Sequence, residues 1–283
     1  MNKLLIATSI AVSIMLASCG SQPSEEISEN LTSEIPKDTT PVTVNEETKF
    51  KFDFAIANIP SPVESINEIS GWGVDYNNAL LVDAKKQILA SNEFSKALAL
   101  GVYSIDLSYA MVNNNGEDVL KYMKPIITSS EALGLKSSVN QMVGKRAEDN
   151  LSNKDSLLKI LNEILVKSDI YLRTNERVYT ASSVFAGSWV EGLFLTCKIA
   201  EGVKDPAIKE TAYKHLWNQR FYLKNLTDLL NDYKDKKECA TLNNELKQIH
   251  ADIDAIKDPK DFKEANFKTI SGKIYALRAS IMK

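Results

Sequence analysis

From about residue 50 onward, apolar residues recur three and four positions apart, the spacing that lines one face of an α-helix. A helix is predicted from Pro62 to about Ile69, started by Pro60-Ser61-Pro62, with a loop around Gly71-Trp72-Gly73 after it. Further helices are predicted over Asn92–Val112, Glu117–Leu133, Ser137–Asn150, Asn153–Thr174, Arg177–Gly202, Pro206–Asp232, Asp235–Ile256 and Pro259–Met282. Their stops fall on residues that end helices: Asn113-Asn114-Asn115-Gly116, Leu133-Gly134, Gly202 and Asp258-Pro259. Pro125 is expected to kink or divide its helix, because it removes a backbone donor. Only Phe50–Ile56 alternates as a short strand would.

Two predicted segments, Ala97–Val112 and Val184–Ala200, are apolar nearly all round, so they are expected to lie at the centre with other helices around them. The last three predicted helices carry lysines on one face and form an outer layer. The fold class is therefore all-α, an irregular multi-helix bundle of about eight helices around two apolar central helices. No internal repeat emerges, and no linker-like composition interrupts residues 50–283, which read as a single helical domain.

The residues before 50 change the picture. Lys3 precedes the apolar run Leu4–Leu16 and then Leu16-Ala17-Ser18-Cys19, which reads as a cleavable lipoprotein signal over residues 1–18 with Cys19 as the acylated first residue of the mature chain. Gly20 in the next position resembles lipoproteins sent on to the outer membrane. Residues 19–49 are rich in Ser, Thr, Pro and Glu without an apolar period, and read as a disordered tether. The membrane, through the lipid on Cys19, is thus an expected partner.

Charge and rare residues narrow the chemistry. The chain has a formal net charge of -3, and the acids concentrate in the tether, so the folded remainder is close to neutral and gives no steering field for nucleic acid. His215 and His250 are the two histidines, neither sits three residues after a glutamate, and no HExxH or CxxC pair exists; neither metal nor another cofactor is expected. Cys197 and Cys239 lie inside predicted helices and read as buried thiols. Neither a GxSxG elbow nor a phosphate-binding GxxxxGK[ST] loop is present.

Each central segment carries one acid, Asp106 in VYSIDLSYA and Glu191 in SWVEGLFL. A bare buried carboxylate is too costly to persist, so each needs a partner or keeps its proton. Arg173, Arg177 and the tyrosine hydroxyls are candidates. Two readings stand side by side. In one, Asp106 and Glu191 are internal staples; in the other, they line a ligand pocket with Tyr103, Trp189 and Trp72. Trp72, between two glycines, either anchors a ligand or folds back onto the core.

Asn58-Ile59-Pro60-Ser61-Pro62, Leu100-Gly101-Val102-Tyr103 with Asp106-Leu107, and Gly187-Ser188-Trp189-Val190-Glu191-Gly192-Leu193 together resemble a set of helical lipoproteins of gut and marine bacteria. The resemblance covers about residues 50–203 and implies a lipid-anchored, all-helical protein, with no activity to carry over. The expectation is a non-enzymatic, lipid-anchored envelope protein that binds a partner protein or envelope component. The alternative is a receptor for a small amphiphilic or glycan ligand between the central helices.

Overall fold

The computed structural model describes residues 46–58, 62–84, 92–135 and 177–282, with scattered positions between 145 and 172. Among the described residues the chain is all-helical: α1 Glu46–Asn58, α2 Pro62–Ser70, α3 Glu93–Val112, α4 Gly116–Ala132, α5 Val178–Gly202, α6 Pro206–Asn231, α7 Lys237–Asp254 and α8 Glu264–Ile281. Short 3-10 turns occupy Asn78–Leu80 and Pro259–Asp261. The helices predicted over 137–150 and 153–174 lie largely outside the described residues.

The central pair is α3 and α5. Every residue of α3 from Ala97 to Val112 is buried, as are most of those in α5. α2 covers both, α4 covers α3, and α6 and α8 cover α5, while α7 packs outside on α6 and α8. α1 lies mainly along α6.

Two glycines set how closely α3 and α5 cross. A Cβ on Gly101 would stand 2.1 Å from the Val184 carbonyl oxygen, and one on Gly187 would stand 2.2 Å from that of Leu98. The backbones therefore touch, and the Ser188 hydroxyl reaches across to the Gly101 carbonyl at 3.2 Å. Small residues permit this distance, and the apolar side chains on either side of the crossing then fill the layer around it.

Local chemistry explains the helix ends. Asn114 takes the left-handed conformation (φ 56) after α3, and the Asn115 side chain accepts the Asp118 N–H at 2.9 Å to cap α4, so one asparagine run ends one helix and starts the next. Gly134 (φ 72) closes α4 in the same left-handed way, with Leu135 N–H donating to the Ser130 carbonyl at 2.8 Å. The Asp205 carboxylate caps α6 ahead of Pro206.

Two expectations are corrected and one is narrowed. Phe50–Ile56 belongs to helix α1 and not to a strand; a helix puts Phe52 and Ala55 on its buried face and turns Phe50 and Phe54 toward the exposed side. α4 continues through Pro125 instead of dividing there. The last predicted helix breaks after Asp261, because Phe262 is extended (φ -71, ψ 106) and buries its ring against Tyr213, 5.2 Å between centroids.

Gly101→Ala is expected to lower stability by at least ~2 kcal/mol, since the methyl group must push two backbones apart. Gly192, on the same helix as Gly187, has nothing within 4 Å of an added Cβ, so Gly192→Ala should gain roughly 0.5–1 kcal/mol from helix propensity. Thermal unfolding of both variants checks the pair; equal shifts would mean the crossing is looser than described.

Candidate functional site

The crossing of α3 and α5 brings the two acids predicted from sequence to one place. Asp106 on α3 and Glu191 on α5 are both fully buried, at 0 % exposure. Arg278 enters from α8 and grips Glu191 with two bonds, Nε to Oε2 and Nη2 to Oε1, each 2.9 Å. Its guanidinium also lies 4.3 Å over the Phe194 ring and donates from Nη2 to the Leu80 carbonyl at 3.3 Å. A paired, bidentate arginine is the kind of partner that lets a carboxylate stay ionised away from water.

Asp106 is held differently. Its Oδ2 accepts the Val82 N–H at 3.0 Å, while Oδ1 is buried with no protein donor in reach. Asp106 and Glu191 act on each other as a buried acid pair with one guanidinium between them and solvent, and two carboxylates can share a hydrogen bond only if one holds a proton. Burial, and next the charge of Glu191, push Asp106 well above the usual carboxylate range. Burial raises Glu191 too, but the Arg278 bonds oppose it, so the proton resides on Asp106 and its O–H is donated to Glu191.

The chain between α2 and α3 is drawn into this cluster. Val82 donates its N–H to Asp106 and its carbonyl accepts the Tyr122 hydroxyl at 2.5 Å, while Leu80 receives Arg278. Burial raises the Tyr122 hydroxyl far above its ordinary range. The result is a polar network of four helices and one connecting segment: its two acids are closed off from solvent, and only the Arg278 side chain, 17 % exposed, reaches toward the surface.

The other predicted site residues are placed around or away from it. Tyr103 and Trp189 are buried in α3 and α5. Trp72 is 6 % exposed and packs edge-on against His215 of α6, 5.6 Å between centroids, so it folds back onto the bundle; His215 in turn meets Glu68 at 3.1 Å. Arg177, considered as a partner for the two acids, serves elsewhere: it bonds Glu93 at 2.6 Å and the Leu133 carbonyl at 2.6 Å. Glu93 also takes the Thr180 hydroxyl. Its own burial favours the neutral form, but Arg177 and Thr180 outweigh it and hold the carboxyl below its usual range. Arg173 lies outside the described residues.

Sequence reasoning missed Arg278 and Tyr122. The signal for Arg278 was present, since it shares a helix stripe with Ile274 and Leu277, both buried. Cys197 and Cys239 are buried free thiols, and burial raises both. Among the described residues no cluster of three or more His, Cys, Asp or Glu could hold a metal ion, and no helix is long and apolar enough to cross a membrane. No protein-family model, curated protein or solved structure matches this chain.

Asp106 keeps its proton in the folded chain and loses it in the unfolded one, so unfolding releases a proton and stability should fall as pH rises above the ordinary carboxylate range. Asp106→Asn is expected to flatten that slope and to leave the neutral-pH midpoint unchanged or raised, because the amide still bonds Glu191 and Val82. Glu191→Gln removes the partner of a buried guanidinium and should cost about 3–5 kcal/mol. Denaturant unfolding from acid to mildly alkaline pH measures all three; a strongly destabilised Asp106→Asn would show that the carboxyl is ionised.

Proposed function

We propose that this chain is a lipid-anchored, non-enzymatic protein of the bacterial outer membrane, attached through acyl chains on Cys19, whose helical domain binds a partner protein or another envelope component. The supporting observation is the Phe50–Phe54 pair. The two rings stack at 6.4 Å between centroids on the outward side of α1 and are 69 % and 51 % exposed. The helix is fixed to the domain by burial of Phe52 and Ala55 and by Asp232, which accepts bonds from Thr48 at 2.9 Å and Lys51 at 3.0 Å. A stacked aromatic pair that the fold holds in place with half or more of each residue exposed has the character of a binding anchor.

The acids contribute to this reading by their position. Glu191 and Asp106 are sealed and mutually satisfied, so as they stand they offer no base or nucleophile to a substrate, and the enzyme and receptor readings draw no support from them.

Two measurements test the proposal separately. The N-terminal peptide of the mature protein should carry acylated Cys19 by mass spectrometry, and Cys19→Ala should leave the membrane fraction; an unmodified mature N-terminus would end the anchor reading. Photo-cross-linking from α1 in intact cells should yield a discrete product that Phe50→Ser with Phe54→Ser abolishes while the unfolding midpoint stays put. A cross-linking pattern indifferent to both substitutions would remove α1 as the binding surface.

A further inference from the structure

The buried cluster does more than join helices, because its outer members are backbone groups of a non-helical segment. Leu80 ends the short turn at Asn78–Leu80, Leu81 follows in extended conformation (φ -76, ψ 154), and Leu81 and Val82 are buried. Three side chains from three helices hold this stretch by its main chain: Arg278 of α8 on the Leu80 carbonyl, Asp106 of α3 on the Val82 N–H, and Tyr122 of α4 on the Val82 carbonyl. Glu191 of α5 touches none of these backbone groups and acts through Arg278 and Asp106. Past the 3-10 turn, whose own bonds run from the Leu80 and Leu81 N–H groups to the Asn77 and Asn78 carbonyls, the main chain is held by these side-chain bonds, which depend on the charge state of the groups beneath it.

That dependence has a direction. With one proton on the two acids, Glu191 and Arg278 cancel and Asp106 is neutral. Without it, two carboxylates face each other in a space with one guanidinium, and the nearby Tyr122 hydroxyl already donates to Val82. The charged groups around Asp106 are thus Glu191 from α5 and Arg278 from α8, with the neutral Tyr122 from α4; Asp83 and Asp118 add negative charge beyond Tyr122. Every carboxylate in that set opposes loss of the proton, and Arg278 is already shared between Glu191 and Leu80.

We propose that Asp106, Glu191, Arg278 and Tyr122 form a proton-operated latch: one proton shared by the two acids fastens the Leu80–Val82 segment over the α3–α5 crossing, and its removal releases the segment. Opening lifts Val82 from Asp106 and admits water to the carboxyl, which then ionises as an ordinary aspartate; each opening event sends one proton to solvent. No other co-reactant is required. The inference is independent of the binding role proposed above, since it concerns only how the segment is held.

The test is amide hydrogen exchange of the full chain followed by mass spectrometry over a pH series, with rates corrected for intrinsic exchange, reading the peptide that spans residues 78–84. Because opening releases one proton, its equilibrium constant should rise roughly tenfold per pH unit above the ordinary carboxylate range. Asp106→Asn should abolish that slope while keeping the segment protected. Tyr122→Phe removes one fastening without touching the proton, so it should raise opening by about the same factor at every pH and leave the slope intact. A wild-type slope near zero, or an Asp106→Asn slope equal to wild type, overturns the latch. Should Asp106→Asn fail to fold, the wild-type chain still decides: an infrared band of a protonated carboxyl persisting at neutral pH, and lost as the 78–84 peptide opens, supports the latch, and its absence at neutral pH overturns it.

Discussion

The contact of two glycines governs this structure. Gly101 and Gly187 let α3 and α5 meet backbone to backbone, and what lies along those two helices then follows from their separation. Asp106 comes five residues past Gly101 and Glu191 four past Gly187; the same short distance that buries the flanking apolar side chains also brings two acids together. A wider crossing would leave room for water between them and make the arginine unnecessary. The charged centre is a consequence of close packing, and the remaining helices are arranged to satisfy it.

That centre shows how a helical bundle handles charge it cannot expose. Glu191 has an arginine with matched geometry, Asp106 has a backbone donor and a proton, and the arginine spreads its remaining charge over Phe194 and the Leu80 carbonyl. Replacing such a group by an apolar one of equal size often stabilises a protein, so its presence calls for a physical role. Here the role is to bring a non-helical segment down onto the core, which apolar contacts from Leu81 and Val82 alone would hold without fixing its register.

Much of the bundle was legible in the sequence because its signals are local. The Asn113–Gly116 stop, Pro206 and the all-apolar character of Ala97–Val112 each act within a few residues of where they are written. Phe50–Ile56 misled because alternation is a two-sided signal: it says which residues differ, but a helix can carry it if one face is left uncovered. Pro259 misled because the cost of breaking the last helix is offset by burying Phe262 on Tyr213, a residue far away in sequence. The acids were found, since an acid in an apolar run is conspicuous; their partner was overlooked although the chain has only five arginines among 34 basic residues and Arg278 stands on an apolar stripe. Arg173 and Arg177 stand nearer to Glu191 along the chain, but proximity in sequence does not set proximity across a bundle.

The span of the Arg278 contacts carries a consequence for how the chain acquires its structure. Glu191 waits 87 residues for its arginine, and Leu80 waits 198. A ribosome supplies α3 and α5 well before α8, so in the growing chain the two acids can collapse against apolar neighbours only by leaving a carboxylate uncompensated or by taking up a second proton. Early association of α3 and α5 is thereby penalised until the final helix is made. Folding is deferred to the whole chain, with the slow, long-range closure that such distant pairings impose, and a polypeptide held open in this way remains threadable for as long as its last helix is missing.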